Sequence, residues 1–161
     1  MKKIFAGLLL AISSVAYSQE AFTGANDIRA YVGANIQSKG TGVTAGADYG
    51  LGRSFSVGLQ MSYLLGTKHN VNGVEKAPVG DRFDLRGRFN ANLGGVMNLP
   101  EQLDVYPGLS LSLKNFGGHI GARYFFNKGF GVFSEITFPI ARYKTSAAGY
   151  EKLNNQFTFQ I

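Results

Sequence analysis

DRFDLRGRFNANL, residues 81–93, changes character at every second position. Asp81, Phe83, Leu85, Gly87, Phe89, Ala91 and Leu93 share one side; Arg82, Asp84, Arg86, Arg88, Asn90 and Asn92 share the other. Successive side chains of a strand point to opposite faces. The stretch therefore predicts a strand with one apolar and one charged face. It is long as well. Ordinary strands run about 5–6 residues, whereas a tilted strand that crosses a bilayer needs about 9–11.

The same alternation recurs along the chain and predicts seven further strands, over residues 26–37, 41–49, 54–65, 103–114, 118–126, 130–143 and 153–161. Glycine-bearing turns at 38–40, 50–53, 115–117 and 127–129 separate several of them, glycine supplying the backbone freedom of tight hairpins. Residues 66–80 are polar, contain Pro78 and keep no period, so they read as the main exposed loop. Residues 144–152 read as another loop. Pro107 and Pro139 remove ladder donors, which predicts a bulge or strand end at Pro107 and the end of a strand near Pro139.

Ahead of the strands, MKKIFAGLLLAISSVAYSQE has a basic start at Lys2 and Lys3, an apolar run from Ile4 to Val15, and small residues at Ala16 and Ser18. This is the pattern of a secretory signal peptide, expected over residues 1–18, with a β-barrel domain over 19–161. The apolar run is too short for a spanning helix, which argues against an N-terminal anchor. Removing Lys2 and Lys3 from the formal charge of +6 leaves +4, spread thinly, which does not call for nucleic acid. There is no cysteine, so disulfides, thiolate metal sites, cysteine nucleophiles and a lipidated N-terminal cysteine are excluded.

An exported chain of alternating strands without a spanning helix fits a closed barrel, the other way to satisfy every backbone group inside a bilayer. The expected fold is all-β: an eight-stranded antiparallel up-and-down transmembrane barrel in the outer membrane, eight being the smallest size for such barrels. A soluble periplasmic ligand-binding barrel would alternate too, with its apolar face inward. Strand length, aromatics gathered at apolar strand ends (Tyr49, Phe55, Tyr63, Tyr124, Phe126, Phe130), and small residues on the polar face (Gly33, Gly46, Gly58, Gly108, Gly121, Gly131) favour the membrane form. With the N-terminus in the periplasm, the turns at 50–53, 94–102 and 127–129 are periplasmic and the long 66–80 loop faces outside.

The polar face then lines a lumen holding Arg29, Arg82, Arg86, Arg88 and Arg123 with Asp48, Asp84, Asp104 and Glu135. Eight strands enclose just enough room for side chains, so these charges are expected to pair and fill the interior. A basic constriction selecting small anions is the alternative. His69 and His119 have no metal-ligand spacing, no GxSxG elbow is present, and Asp81 and Asp84 lie on opposite faces. No enzyme, cofactor or metal site is expected. The expected partners are outer-membrane lipid, the barrel assembly machinery, and an extracellular partner met by Thr67, Lys68, His69, Asn70, Asn72, Glu75 and Lys76 of the exposed loop. A monomer is expected.

ADYGLGRSFSVGLQMSYLLG (47–66), DRFDLRGRFNANLG (81–94), DVYPGLSLSLKNFGGHIGARYFF (104–126) and GFGVFSEITFPIARYK (129–144) resemble a family of small uncharacterised outer-membrane barrel proteins of flavobacteria and other Bacteroidetes. More distantly the pattern is similar to OmpA/OmpX-type eight-stranded barrels. The resemblance implies a fold and a location, and no catalytic residue. Members of that family usually run a few residues past the position of Ile161 and end on an aromatic strand. Here Phe157, Phe159 and Ile161 keep the spacing with isoleucine last, which implies a shortened eighth strand or a relaxed assembly signal.

Overall fold

The computed structural model describes residues 21–67, 77–127, 129–143 and 152–161. The signal peptide expected over 1–18 lies outside the described residues, as do Lys68, His69, Asn70, Asn72, Glu75 and Lys76. The strands are β1 (Ile28–Gln37), β2 (Gly40–Gly50), β3 (Phe55–Thr67), β4 (Phe83–Ala91), β5 (Leu103–Ser112), β6 (Asn115–Asn127), β7 (Phe130–Arg142) and β8 (Thr158–Gln160). One helical turn, α1 (Val79–Arg82), precedes β4. Each strand pairs antiparallel with its neighbours in sequence, and β8 returns to β1, closing an up-and-down barrel.

The barrel is turned outward. Val32, Leu59, Leu65, Leu111, Ile120 and Phe130 are all exposed on its outer surface. Asn35, Asp48, Gln60, Arg88, Asp104, Arg123 and Glu135 are buried within. Residues of one parity thus meet the surroundings and those of the other meet one another. Aromatic side chains pack on the outer wall, Phe55 against Phe89 and Phe126 between Tyr124 and Phe130.

Several boundaries differ from the sequence expectation. The strand expected from Asp81 begins at Phe83, because Asp81 and Arg82 donate their backbone N–H groups to the Pro78 carbonyl and close a helical turn. β6 starts at Asn115, so the turn expected at 115–117 falls instead at residues 113–114, where Ser112 Oγ accepts from the amides of Lys114 and Asn115. β5 runs through Pro107 in register with Ile120, without a bulge there; its ladder to β4 stops at Gly108, beside the missing donor. Pro139 lies near the end of β7, where Ile140 is passed over between the pairs Gly117–Pro139 and Phe116–Ala141. β8 is three residues long, because Leu153 folds inward against Leu64 and Ala77 and does not continue the outer face.

Candidate functional site: the charged barrel interior

Arg88 sits at the centre of the interior. It belongs to β4, whose inward parity carries Asp84, Arg86, Arg88 and Asn90 in succession. Its guanidinium meets Glu135 of β7 with two contacts, Nη2 to Oε2 at 2.5 Å and Nη1 to Oε1 at 3.3 Å. Nη1 also donates to the Tyr31 hydroxyl of β1 at 2.6 Å, and Nε lies 3.3 Å from Asp48 Oδ1 of β2. The planar fork of arginine is suited to such multiple recognition.

Asp48 reaches across to a second arginine, its Oδ2 lying 3.6 Å from Arg123 Nη1 of β6. Arg123 in turn donates to Asp104 Oδ2 of β5 at 3.0 Å. Asn92 Nδ2 donates to the same Asp104 oxygen at 2.8 Å, and the Gly94 amide donates to Oδ1 at 2.9 Å. A continuous path therefore runs Glu135–Arg88–Asp48–Arg123–Asp104. Gln60 of β3 joins it through the Tyr31 hydroxyl and binds Gln160 of β8 at 2.8 Å. Side chains from every strand are tied into one network.

Above this path Arg86 pairs with Asp84 at 3.2 Å, and buried Lys114 donates to the carbonyls of Asp81 and Leu153. The buried charges of the described interior balance: Arg86, Arg88, Lys114 and Arg123 against Asp48, Asp84, Asp104 and Glu135. Tyr106 completes the packing, its ring centroid 4.7 Å from the Arg123 guanidinium carbon and 5.8 Å from that of Arg88. Desolvated cations over aromatic faces gain from the ring quadrupole.

Two arginines expected in this network lie elsewhere. Arg82 is at the rim, because α1 lifts it out of the strand. It donates to the carbonyls of Leu64 and Leu65 and stacks on Tyr63. Arg29 is near the opposite end, pairing with Asp27 at 2.8 Å and lying over Phe125. Lys114, Asp27, Tyr31 and Tyr106 were not among the expected network residues; Lys114, Tyr31 and Tyr106 lie on the polar parity of their strands, which is the signal that marks them. His119 is buried, with Nε2 2.7 Å from Asn90 Oδ1.

The interior has room for long side chains because glycine faces them. A Cβ on Gly58 would stand 2.2 Å from Asp48 Oδ1, on Gly108 2.4 Å from His119 Nε2, and on Gly121 2.3 Å from Tyr106 Cζ. Gly121→Ala must displace the Tyr106 ring and with it the cover over Arg123. Overpacking of this kind costs about 1–3 kcal/mol, and urea unfolding of the refolded protein is expected to show that loss. Gly52→Ala, where a Cβ meets nothing within 4 Å, is the control.

The end of the barrel bearing the 38–39 hairpin is capped by residues 152–157. Asn154 is the tie: its Oδ1 accepts from Gln37 Nε2 at 3.0 Å, its amide donates to Gln37 Oε1 at 2.9 Å, its Nδ2 donates to the Arg82 carbonyl, and its carbonyl accepts from Asn115 Nδ2. Asn154 adopts φ 57°, a left-handed turn that asparagine tolerates. Among the described residues no group of three or more His, Cys, Asp or Glu is placed to hold a metal ion.

The sequence model described as a family of unknown function, DUF6646, matches residues 12–161. The chain belongs to that family. No curated protein matches it, and no solved structure does. What this DUF6646 chain offers chemically is a buried, charge-balanced lattice of ion pairs and amides, with its one described histidine on an asparagine and the Ser56 and Ser62 hydroxyls on Asn92 and Thr44.

Proposed function

We propose that the chain is a small outer-membrane barrel with a structural and surface-interaction role, its lumen filled by paired charges and closed to solutes. The observation that carries this proposal is the inverted burial: an apolar outer wall around a polar, ion-paired interior. Water would drive the opposite arrangement, since apolar surface gains by leaving it; hydrocarbon favours the one seen. A soluble ligand-binding barrel would need its apolar face inside. On this proposal the partners are outer-membrane lipid, the assembly machinery that inserts the barrel, and an extracellular protein or surface met by the 66–80 loop. The barrel acts as a monomer and carries out no catalysis.

The alternative, a narrow pore selecting anions, requires an uncompensated positive constriction. The balance of Arg86, Arg88, Lys114 and Arg123 against four carboxylates argues against it, as does the Asn154 cap. Purified protein reconstituted in planar bilayers is expected to show no stable ohmic conductance. Steps of constant amplitude favouring chloride over potassium would contradict the closed lumen and favour the pore.

A further inference from the structure

The connection between β4 and β5 differs in chemistry from the other short connections at the barrel ends. Residues 91–100, ANLGGVMNLP, carry no charged side chain, whereas the turns at 38–40, 50–53 and 127–129 carry Lys39, Arg53 and Lys128. Val96 and Met97 stand at its tip, 63% and 56% exposed. The turn is held by its own backbone. The Met97 amide donates to the Leu93 carbonyl at 2.8 Å, the Leu99 amide to the Gly94 carbonyl at 2.9 Å and the Asn98 amide to the Gly95 carbonyl at 3.4 Å. Asn98 takes φ 52°, the left-handed conformation that ends a helical turn in this bonding pattern. Val96 and Met97 are therefore presented by a fixed backbone.

The apolar residues of this turn divide between two surfaces. Leu99 is half-buried and, with Phe22 and Leu103, lines a small cavity that reaches Asp104 at this end of the interior. Val96 and Met97 do not line it. Their neighbours in sequence belong to the outer wall. Outward parity on β4 runs from Leu85 through Gly87 and Phe89 and continues to Ala91 and Leu93. The Leu93 amide donates to the Val105 carbonyl at 2.9 Å, so strand pairing extends to the edge of the turn. On the return, Leu103, Val105 and Leu109 carry the outward parity of β5. Apolar surface thus passes from wall to tip and back, with no charged side chain at an outward position of either strand.

We propose that this turn is a lipid-interface anchor, with Val96 and Met97 entering the boundary between headgroups and acyl chains of the phospholipid leaflet at this end of the wall. The inference rests on the membrane reading above and adds to it: the connection expected as a periplasmic turn has its tip in the edge of the leaflet. Continuity with the outer wall selects lipid as the occupant. Interfacial apolar segments enter the headgroup–acyl boundary by about 5–10 Å, a depth within reach of a single turn that follows directly on a wall strand. A stable protein partner needs roughly 800 Å² on each side, far more than two side chains on one turn present. The anchor fixes how deep this end of the barrel sits.

The chain has no cysteine, so a nitroxide can be attached at one position at a time. Val96→Cys and Met97→Cys report on the tip, Leu59→Cys on the middle of the wall, and Arg53→Cys on an exposed polar turn at the same end of the barrel. Each labelled protein is refolded into phosphatidylcholine vesicles, and far-UV circular dichroism checks that the barrel is retained. Power saturation then compares collisions with oxygen, which concentrates among acyl chains, and with a water-soluble nickel chelate. The oxygen-to-nickel collision ratio at both tip positions is expected to fall between those at Leu59 and Arg53, and at least about threefold above Arg53, as interfacial depth requires. A ratio at the tip equal to that at Arg53, with Leu59 high, would overturn the anchor and leave the membrane reading standing. A low ratio at Leu59 as well would overturn both. Tip labels shielded from both reagents would also overturn the anchor, because a second copy of the chain would then cover the turn in place of lipid.

Discussion

Replacing Arg88 by alanine is expected to lower the unfolding free energy by about 3–5 kcal/mol, the cost typical of removing one partner from a buried ion pair. The side chain is 1% exposed and contacts Glu135, Asp48 and Tyr31. Its loss strands the Glu135 carboxylate, itself 1% exposed, with no other cation among the described residues paired to it. The penalty belongs to the carboxylate left behind more than to the arginine removed. The double variant Arg88→Met with Glu135→Gln should therefore recover much of the loss, since it withdraws both charges together. Arg142→Ala, at an exposed position near the end of β7, should stay within about 0.5 kcal/mol. Urea titrations of protein refolded into lipid vesicles measure all three. An Arg88→Ala variant as stable as the parent would mean that the ion-pair path does not hold the interior.

Leu59→Arg is the second large effect, and it addresses the outer wall. Leu59 is 63% exposed near the middle of β3, paired with Ala47 on one side and Gly87 on the other. If the wall faces hydrocarbon, an arginine near the midplane costs about 2–4 kcal/mol. If it faces water, a surface substitution of this kind changes stability by no more than about 0.5 kcal/mol. The two outcomes differ enough for a single vesicle-refolding titration to separate them. Leu51→Arg, exposed in the turn after β2, is the companion variant and should be nearly silent in both cases.

The alternation of residues 83–91 made most of the barrel legible, because a period of two assigns each side chain to a face without any knowledge of neighbours. Arg86, Arg88 and Asp84 went to the interior on that ground alone. Which charges meet was not legible. Arg88 and Glu135 are 47 residues apart, and their contact depends on the closure of the whole sheet. Arg82 carries the same parity but left the interior, because Pro78 starts a helical turn whose local hydrogen bonds outweigh the alternation. The last strand misled for a related reason. Leu153 keeps the spacing of Phe157 and Phe159, yet it gains more by burial against Leu64 and Ala77 than by extending the outer wall. Lys114 carries the inward parity of the strand expected over 103–114, but its partners were not legible: two carbonyls, of Asp81 and Leu153, converge on its ammonium from distant segments.

The most direct measurement is heat-modifiability combined with membrane fractionation. The full sequence, residues 1–161, is expressed in a Gram-negative host, and the outer membrane is isolated. Unboiled and boiled samples are then run side by side on SDS gels. An outer-membrane barrel held by its interior ion pairs is expected in the detergent-extracted outer-membrane fraction, with a mobility shift on boiling. Recovery in the soluble periplasmic fraction, with no shift, would contradict the account.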